Sequence, residues 1–389
     1  MIFHQRQAME QENSAAPKTK QPDFPVASFG AVKYSSRKQT QWEILLDLFL
    51  AFCLSINVCV VFAMLYGPRT RGSWMEPPEL RARRPRSFYD ADGSTGYAHD
   101  IVPNIIHIVR YNQTELSMMD VVFLRSMFLN HRPDTIMVHC SPCGFTGPFV
   151  NWTEGINFTF VPYHFPREVF GRKIEVIHHS ADVARIRILM QYGGIYLDRD
   201  VFVVKSLRRF LHYEATIAVP PKAYLGNNLM IFHKDSRFLK LYLETYREFN
   251  DSRWYYNAGE LPTVQLFHKH PHLANRVYYG LEINLDMLHM MYEPHSYPDW
   301  RDAYAMHTFI FHRGESPYDP LHNGDFNQTN IRDLDNAIGQ MTRSVLFGTS
   351  DFVGPDVPVL SVTELASRKN NGEDLTRMTP GNAKPFYGK

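Results

Sequence analysis

The stretch from His179 to Lys205, HSADVARIRILMQYGGIYLDRDVFVVK, constrains this chain more than any other. Val183, Ile186, Leu189 and Met190 recur at helical spacing and give Asp182–Tyr192 one apolar face. Gly193-Gly194 stops the helix, as glycine does at a C-cap. Ile195-Tyr196-Leu197 is short and apolar, which predicts a buried strand, and it ends on Asp198-Arg199-Asp200. A second apolar run, Val201–Val204, follows at once. Helix, glycine turn and strand in this order predict an α/β sheet, and an open α/β sheet places its ligand crevice at strand ends.

The residues at that strand end suit a cation and a phosphate ester. In extended chain, positions i and i+2 point the same way, so Asp198 and Asp200 converge. Two adjacent carboxylates repel unless a proton or a cation lies between them. Their hard oxygens suit Mg²⁺ or Mn²⁺, which also take phosphate oxygens. On the preceding helix Asp182 and Arg185 share a face. The carboxylate can hold a ribose hydroxyl and the guanidinium a phosphate. Taken singly, an Asp-x-Asp is a common solvated turn, and Asp182 with Arg185 is a common intrahelical ion pair. It is their combination around Gly-Gly and a buried strand that marks a site.

The run ADVARIRILMQYGGIYLDRDV resembles the signature of the DXD-motif sugar-nucleotide transferases of glycosyltransferase family 32 and the related α1,4-galactosyl- and α1,4-N-acetylglucosaminyltransferases. IVPNIIHIVR, Ile101 to Arg110, resembles the first strand of the same family. The resemblance implies a GT-A fold, a Rossmann-like mixed sheet flanked by helices. It also implies a UDP- or GDP-sugar donor, Mn²⁺ (or Mg²⁺), transfer with retention, and a glycan, glycoprotein or glycolipid acceptor. Carried onto this sequence, it makes Asp198 and Asp200 metal ligands, with His307 the best match for a third and His312 the second. Asp182 and Arg185 join the catalytic set and bind the donor. His107 either touches the nucleotide base or is a buried, bonded histidine. Asn227 or Asn228 faces the donor sugar, or the pair supplies left-handed turn geometry. Leu261 stands where relatives carry the glycine of a Gly-Pro pair. Glu260 beside it is an acceptor-side carboxylate or a helix N-terminal charge. Two other classes compete. Haloacid-dehalogenase-type phosphatases also use Asp-x-Asp, but want Thr or Val where Phe202 stands. A catalytically inactive glycan- or nucleotide-sugar-binding protein would keep the same fold.

Residues 1–43 are polar, with Lys18, Lys20, Lys33, Arg37 and Lys38, and read as a disordered cytosolic tail. Residues 44–66 are apolar over a length that just spans a bilayer core, which predicts one uncleaved transmembrane helix. Residues 67–98, with Pro68, Pro77, Pro78, Pro85 and many arginines, read as a stem. Arg69, Arg71, Arg81, Arg83, Arg84 and Arg86 outnumber the basic residues just before the span, and a positive-inside count puts the C-terminal side in the cytosol. Sequons at Asn112, Asn151, Asn157, Asn250 and Asn327 put it in the lumen, as the resemblance does. The expectation follows the latter: a single-pass type II protein of the Golgi membrane with a lumenal catalytic domain. A formal net charge of +1 gives no electrostatic ground for nucleic-acid binding.

The catalytic domain is expected at 99–345 and a C-terminal extension at 346–389. Strands are expected over 101–110, 135–139, 157–163, 215–219 and 305–312, and helices over 116–130 and 237–249. Cys140 and Cys143 form a lone C-x-x-C. Zinc needs two further ligands, and a local disulfide suits a lumenal domain. Beyond Arg313 apolar runs are few, and 370–389 reads as an exposed tail. Nothing in the chain fixes an oligomeric state.

Overall fold

A computed structural model describes residues 95–220, 223–282, 287–294, 300–315, 319, 321 and 324–379. The expected tail, transmembrane span and nearly all of the stem lie outside the described residues. Among those described, no helix is long and apolar enough to cross a membrane.

The chain begins with β1 (Ile105–Tyr111), α1 (Met118–His131), β2 (Thr135–Ser141) and β3 (Phe158–Pro162). A short hairpin, β4 (Glu168–Val169) and β5 (Arg172–Lys173), leads to α2 (Ile177–Tyr192), β6 (Gly194–Leu197) and β7 (Val201–Val203). Then come β8 (Ala215–Ala218), β9 (Leu229–Phe232), α3 (Arg237–Thr245), β10 (Asn275–Val277), β11 (Leu281–Glu282), α4 (Met287–Tyr292) and β12 (Ala305–His307). Two helices close the described chain, α5 (Ala337–Leu346) and α6 (Val362–Asn370). A seven-stranded sheet runs β10-β8-β9-β6-β1-β2-β3 among the described residues. Its β1, β2, β3 and β6 pair in parallel, while β9 runs antiparallel between β6 and β8. A second sheet, β11-β12-β7, stands beside it. The mixed α/β architecture agrees with the expectation.

Strand alternation sends side chains to two cores. Ile106, Ile108, Ile136, Val138, Ile195 and Leu197 face the core that α1, α5 and α6 cover. Tyr196, Met230 and Phe232 face the core filled by Val183, Ile186 and Leu189 of α2 and Phe238 and Tyr242 of α3. Helix α1 starts at a capping box, in which the Asp120 N–H donates to Ser117 Oγ (3.1 Å) and the Ser117 N–H to Asp120 Oδ2 (2.9 Å). Helix α2 begins at Ile177 rather than at Asp182, and the two residues that precede it are tied to distant chain. Asp251 Oδ2 accepts from the N–H groups of Glu175 (3.0 Å) and Val176 (3.3 Å).

The Gly193-Gly194 turn is required by its surroundings. Both residues have positive φ, 65° and 108°. A Cβ on Gly194 would lie 2.7 Å from Ile105 O and 2.8 Å from His107 Nε2. His107 is fully buried and holds this turn, since its Nε2–H donates to Gly193 O (2.7 Å). Its Nδ1 then accepts from Nε2–H of His139 (3.0 Å), and both rings are neutral. Burial pushes His107 down to about 4 and His139 to about 3, the latter helped by the neighbouring ring.

Three segments differ from the sequence expectation. Strand β12 ends at His307 rather than 312, and Phe309 at φ 50° turns the chain away. Among the described residues after Arg313, part of the chain is well packed. Helix α5 is buried on every side, and its Arg343 is 1% exposed and donates to the carbonyls of Ile331, Leu334 and Ser350. The segment from 346, expected as an extension, instead adds Val362, Leu365, Ala366 and Leu375 to the larger core. Cys140 and Cys143 are disulfide-bonded.

Two predictions follow from the buried turn. Gly194→Ala is expected to lower the unfolding free energy by at least about 2 kcal/mol, whereas Gln191→Ala, on the exposed side of the same helix end, should change it by less than about 0.5 kcal/mol. Chemical denaturation followed by fluorescence measures both. Acid should also weaken the fold. The unfolded chain takes up protons below the ordinary histidine value of 6.5, and folded His107 refuses them down to about 4. Stability is therefore full above pH 6.5 and falls as the pH drops. At pH 4 the loss from His107 alone reaches about 3 kcal/mol. An unfolding midpoint that stays level from pH 7 to pH 4.5 would contradict the neutral pair.

Candidate functional site

The site is built at the end of β6. The Asp198 N–H donates to Asn228 O (2.8 Å), which ties the carboxylate segment to the residues entering β9. Tyr196 points toward α2, and its hydroxyl donates to Asp198 Oδ1 (2.7 Å). Arg185 reaches up from α2 over the Tyr196 ring, 4.7 Å from its centroid. Its Nη2 lies 3.2 Å from Asp182 Oδ1 and 3.3 Å from Asp198 Oδ1, and its Nη1 donates to Asn227 O (2.7 Å). The Asn227 side-chain amide donates to Asp182 Oδ1 (2.7 Å). Asp182, Arg185, Asn227 and Asp198 thus form one connected, buried network, and each had been singled out in the sequence.

The second carboxylate sits on the other side of this strand end. Register places His307 of β12 opposite Val201 of β7, beside Asp200. His307 Nε2–H donates to Asp200 Oδ1 (3.2 Å). Thr308 clamps the Asp200 carbonyl through its N–H (3.0 Å) and its hydroxyl (2.8 Å). Asp198, Asp200 and His307 each offer one ligand atom, and these atoms lie within 4.8 Å of one another.

Electrostatics separates the two acids. Burial raises the Asp198 carboxyl above its ordinary range, and Arg185 only partly offsets this. Asp200 is buried too, yet the charge and hydrogen bond of His307 hold it below that range. His307 loses to burial but gains more from Asp200 and Asp198, so its value is raised. Three carboxylates, Asp182, Asp198 and Asp200, face one arginine and one histidine. Two hard carboxylate oxygens and an imidazole nitrogen form a donor set that fits Mn²⁺ or Mg²⁺, with Mn²⁺ the better partner for the nitrogen. Close by, Asn228 is 5% exposed and its Nδ2 has no hydrogen-bond partner. A buried donor left unpaired costs about 1–3 kcal/mol, which an oxygen of a bound ligand would recover.

Other expected residues fall elsewhere. His107 is not brought to the cluster, because both its ring nitrogens are used in holding the Gly193 turn. His312 is half-buried beyond the turn at Phe309 and outside the ligand triad. Leu261 is buried at 5% exposure. The glycine that this segment needs is Gly259, where a Cβ would come 2.0 Å from Tyr255 Cε1. Glu260 pairs with Arg253 (2.6 Å).

Sequence reasoning missed Tyr196, read there only as part of a buried apolar strand, and it missed Arg199. The Arg199 guanidinium lies 3.8 Å from the centroid of the exposed Phe311 ring and donates to Gln113. It borders a cleft of about 470 Å³ lined by Asn112, Gln113, Glu115, Ser117 and Asp120 at the end of β1. Asp198–Asp200 is a turn, with the Val201 N–H donating to Asp198 O (3.1 Å), and not the extended chain expected, so period-2 alternation gave no signal for Arg199.

Residues 147–217, which run from before β3 through β8, match the family described as the glycosyltransferase sugar-binding region containing the DXD motif. Glucan organizing enzyme 1 of Cryptococcus neoformans var. grubii is 26% identical over 283 residues, covering 66% of this chain and 72% of that protein. Human alpha-1,4-N-acetylglucosaminyltransferase is 29% identical over 142 residues, covering 33% of this chain and 38% of that one. Among solved structures, the glycosyltransferase GlyE of Streptococcus pneumoniae TIGR4 aligns over 70% of this chain and 64% of its own, at 8% identity and a TM-score of 0.41. The assignment rests on the sequence matches, whose family region contains Asp182, Arg185, Asp198 and Asp200. This chain carries a DXD-type glycosyltransferase sugar-binding region at 147–217 and is a glycosyltransferase.

Proposed function

We propose that residues 99–345 form a GT-A catalytic domain, completed by the packed segment after it. It moves a hexose or N-acetylhexosamine from a UDP- or GDP-sugar to a hydroxyl of a glycan or glycolipid, with retention. In this reading the protein is a type II membrane protein of the Golgi, anchored by 44–66, with the domain in the lumen. The observation that carries the catalytic reading is the convergence of Asp198, Asp200 and His307 beside the Asp182–Arg185–Asn227 network.

Asp198, Asp200 and His307 would hold the divalent cation. When bound, Mn²⁺ or Mg²⁺ supplies charge that stabilises the departing nucleoside diphosphate. Arg185 is shared between Asp182, Asp198 and the Asn227 carbonyl, so its part is to orient these groups rather than to reach for phosphate. Arg185 and Asn227 both meet Asp182 at Oδ1, which leaves Oδ2 for a ribose or sugar hydroxyl. Asn228 Nδ2 offers a further donor to the sugar. The buried setting strengthens each of these contacts relative to water.

The test offers the full chain UDP-Gal, UDP-GlcNAc, UDP-Glc and GDP-Man, each with Mn²⁺ or with EDTA, and follows nucleotide release. One donor should be turned over with Mn²⁺ alone, and Asp200→Ala should lower that rate by at least about 100-fold. Release that EDTA leaves unchanged would remove the cation from the reading. No release from any donor, with no metal-dependent nucleotide binding, would sink the transferase reading for these donors.

A further inference from the structure

The helix that carries Asp182 and Arg185 presents a third polar residue on the same stripe. His178 precedes Asp182 by one turn and Arg185 by two, so the three line up along one face. Beyond Arg185 the stripe becomes apolar at Leu189, which is buried. His178 is exposed. Its ring meets the Trp254 indole nearly edge-on, with centroids 4.8 Å apart and planes at 66°. Trp254 is half-buried, so part of the indole faces solvent. Burial lowers the His178 value, Asp182 of the same helix opposes this, and His179, His312 and Arg185 add to it.

The loop bearing Trp254 is fixed rather than loose. His179 bonds Asp251 Oδ1 through Nδ1 (2.7 Å) and the Trp254 carbonyl through Nε2 (3.1 Å). The other oxygen of Asp251 accepts from the N–H groups of Glu175 and Val176, just before α2. The next residue, Tyr255, donates its hydroxyl to Leu225 O (2.8 Å), two residues before Asn227. The segment 251–255 is thus a wall stitched at one end to the start of α2 and at the other to the asparagine pair.

We propose that His178 and Trp254 form the subsite for the acceptor, a pyranose ring. The indole packs against the C–H face of the ring, and the imidazole hydrogen-bonds one of its hydroxyls. An aromatic plate with a polar group beside it matches a molecule that is apolar on its faces and polar at its rim. Position selects acceptor over donor. The cation triad and Asp182 take the donor's diphosphate and sugar, and the His178 level lies one helical turn, about 5.4 Å, further out. The next ring outward is the one whose hydroxyl receives the sugar. This subsite rests on the transferase reading above.

The experiment uses octyl glycosides of galactose, N-acetylglucosamine, glucose and mannose as acceptors for the full chain, with the donor that it turns over. Trp254→Ala should raise the acceptor KM by at least about tenfold while the donor KM moves by less than about twofold. Trp254→Phe keeps an aromatic plate and should recover the acceptor KM to within about threefold of the parent. An unchanged acceptor KM in Trp254→Ala, or a donor KM that moves as far as the acceptor KM, overturns the subsite. A chain that turns over no donor fails the transferase reading separately. In that case saturation-transfer NMR with the same octyl glycosides still decides the subsite. Binding that is lost in Trp254→Ala and kept in Trp254→Phe supports it, and no binding to the parent chain, or equal binding to Trp254→Ala, overturns it.

Discussion

The position of Arg185 governs the rest of the site. One guanidinium touches Asp182, Asp198 and the Asn227 carbonyl, and it lies over the Tyr196 ring. Buried ion pairs add little net stability, because desolvation consumes most of the Coulomb gain. Their value here is positional. Arg185 is 6% exposed and bound on several sides, so it has few alternatives, and the carboxylates it binds are fixed with it. Removing it would leave two acids facing each other without compensation, a loss of about 3–5 kcal/mol for a buried pair that loses one partner. Lysine could not replace it, since a point charge cannot serve three acceptors in a planar fork.

That placement depends on a second constraint beneath it. Arg185 rides on α2 and Asp198 on β6, and the two are joined only by Gly193 and Gly194. The turn must be tight for helix and strand to meet, and only residues without a Cβ pass between Ile105, Phe232 and His107. His107 then closes the joint by binding Gly193 O. The histidine of the first strand acts on the site through the backbone of the turn, not through a ligand. Its neutral state, enforced by burial, leaves the charges of the site to the acids, Arg185 and His307.

What could be read from the sequence was local. The helical period of Val183, Ile186 and Leu189 and the glycine pair lie within one short stretch, and their geometry follows from adjacent φ/ψ choices. The Asp182–Arg185 pairing is of the same kind. The two acids were legible as residues, but they are brought together by a turn at Asp198–Val201 and not by the extended chain expected. His307 came from a resemblance, and β7–β12 pairing brings it to Asp200. What was hidden depends on distant chain. Helix α2 starts at Ile177, and Asp251 from distant chain holds the residues just before it, so local signals started the helix too late. Helix α5 carries Gln340, Thr342, Arg343 and Ser344 on buried faces, which blunts any apolar period and made the chain after Arg313 look sparse. Arg343 is satisfied by the carbonyls of Ile331, Leu334 and Ser350, and Gln340 Oε1 accepts from the distant Trp300 and Arg301, partners that no window around α5 identifies as such. The role of His107 was left open between base contact and buried bond because Gly193 O and His139 are its partners only in three dimensions.

The Asp-Arg-Asp triplet also shows how one strand end serves two chambers. Asp198–Val201 is a turn, in which the Val201 N–H donates to Asp198 O (3.1 Å), and it sets Asp198 beside Arg185, Asp200 beside His307 and Arg199 at the cleft at the end of β1. There the guanidinium rests on Phe311 and holds Gln113, with the buried Arg110–Asp120 pair behind it (3.1 Å). Burial lowers the Arg199 value, so its charge is less well solvated than that of a surface arginine. The middle residue of such a triplet is free to vary only as far as the cleft beside it allows. In this chain the cleft is polar and lined by the loop after β1, and an arginine stacked on an exposed aromatic ring forms its wall.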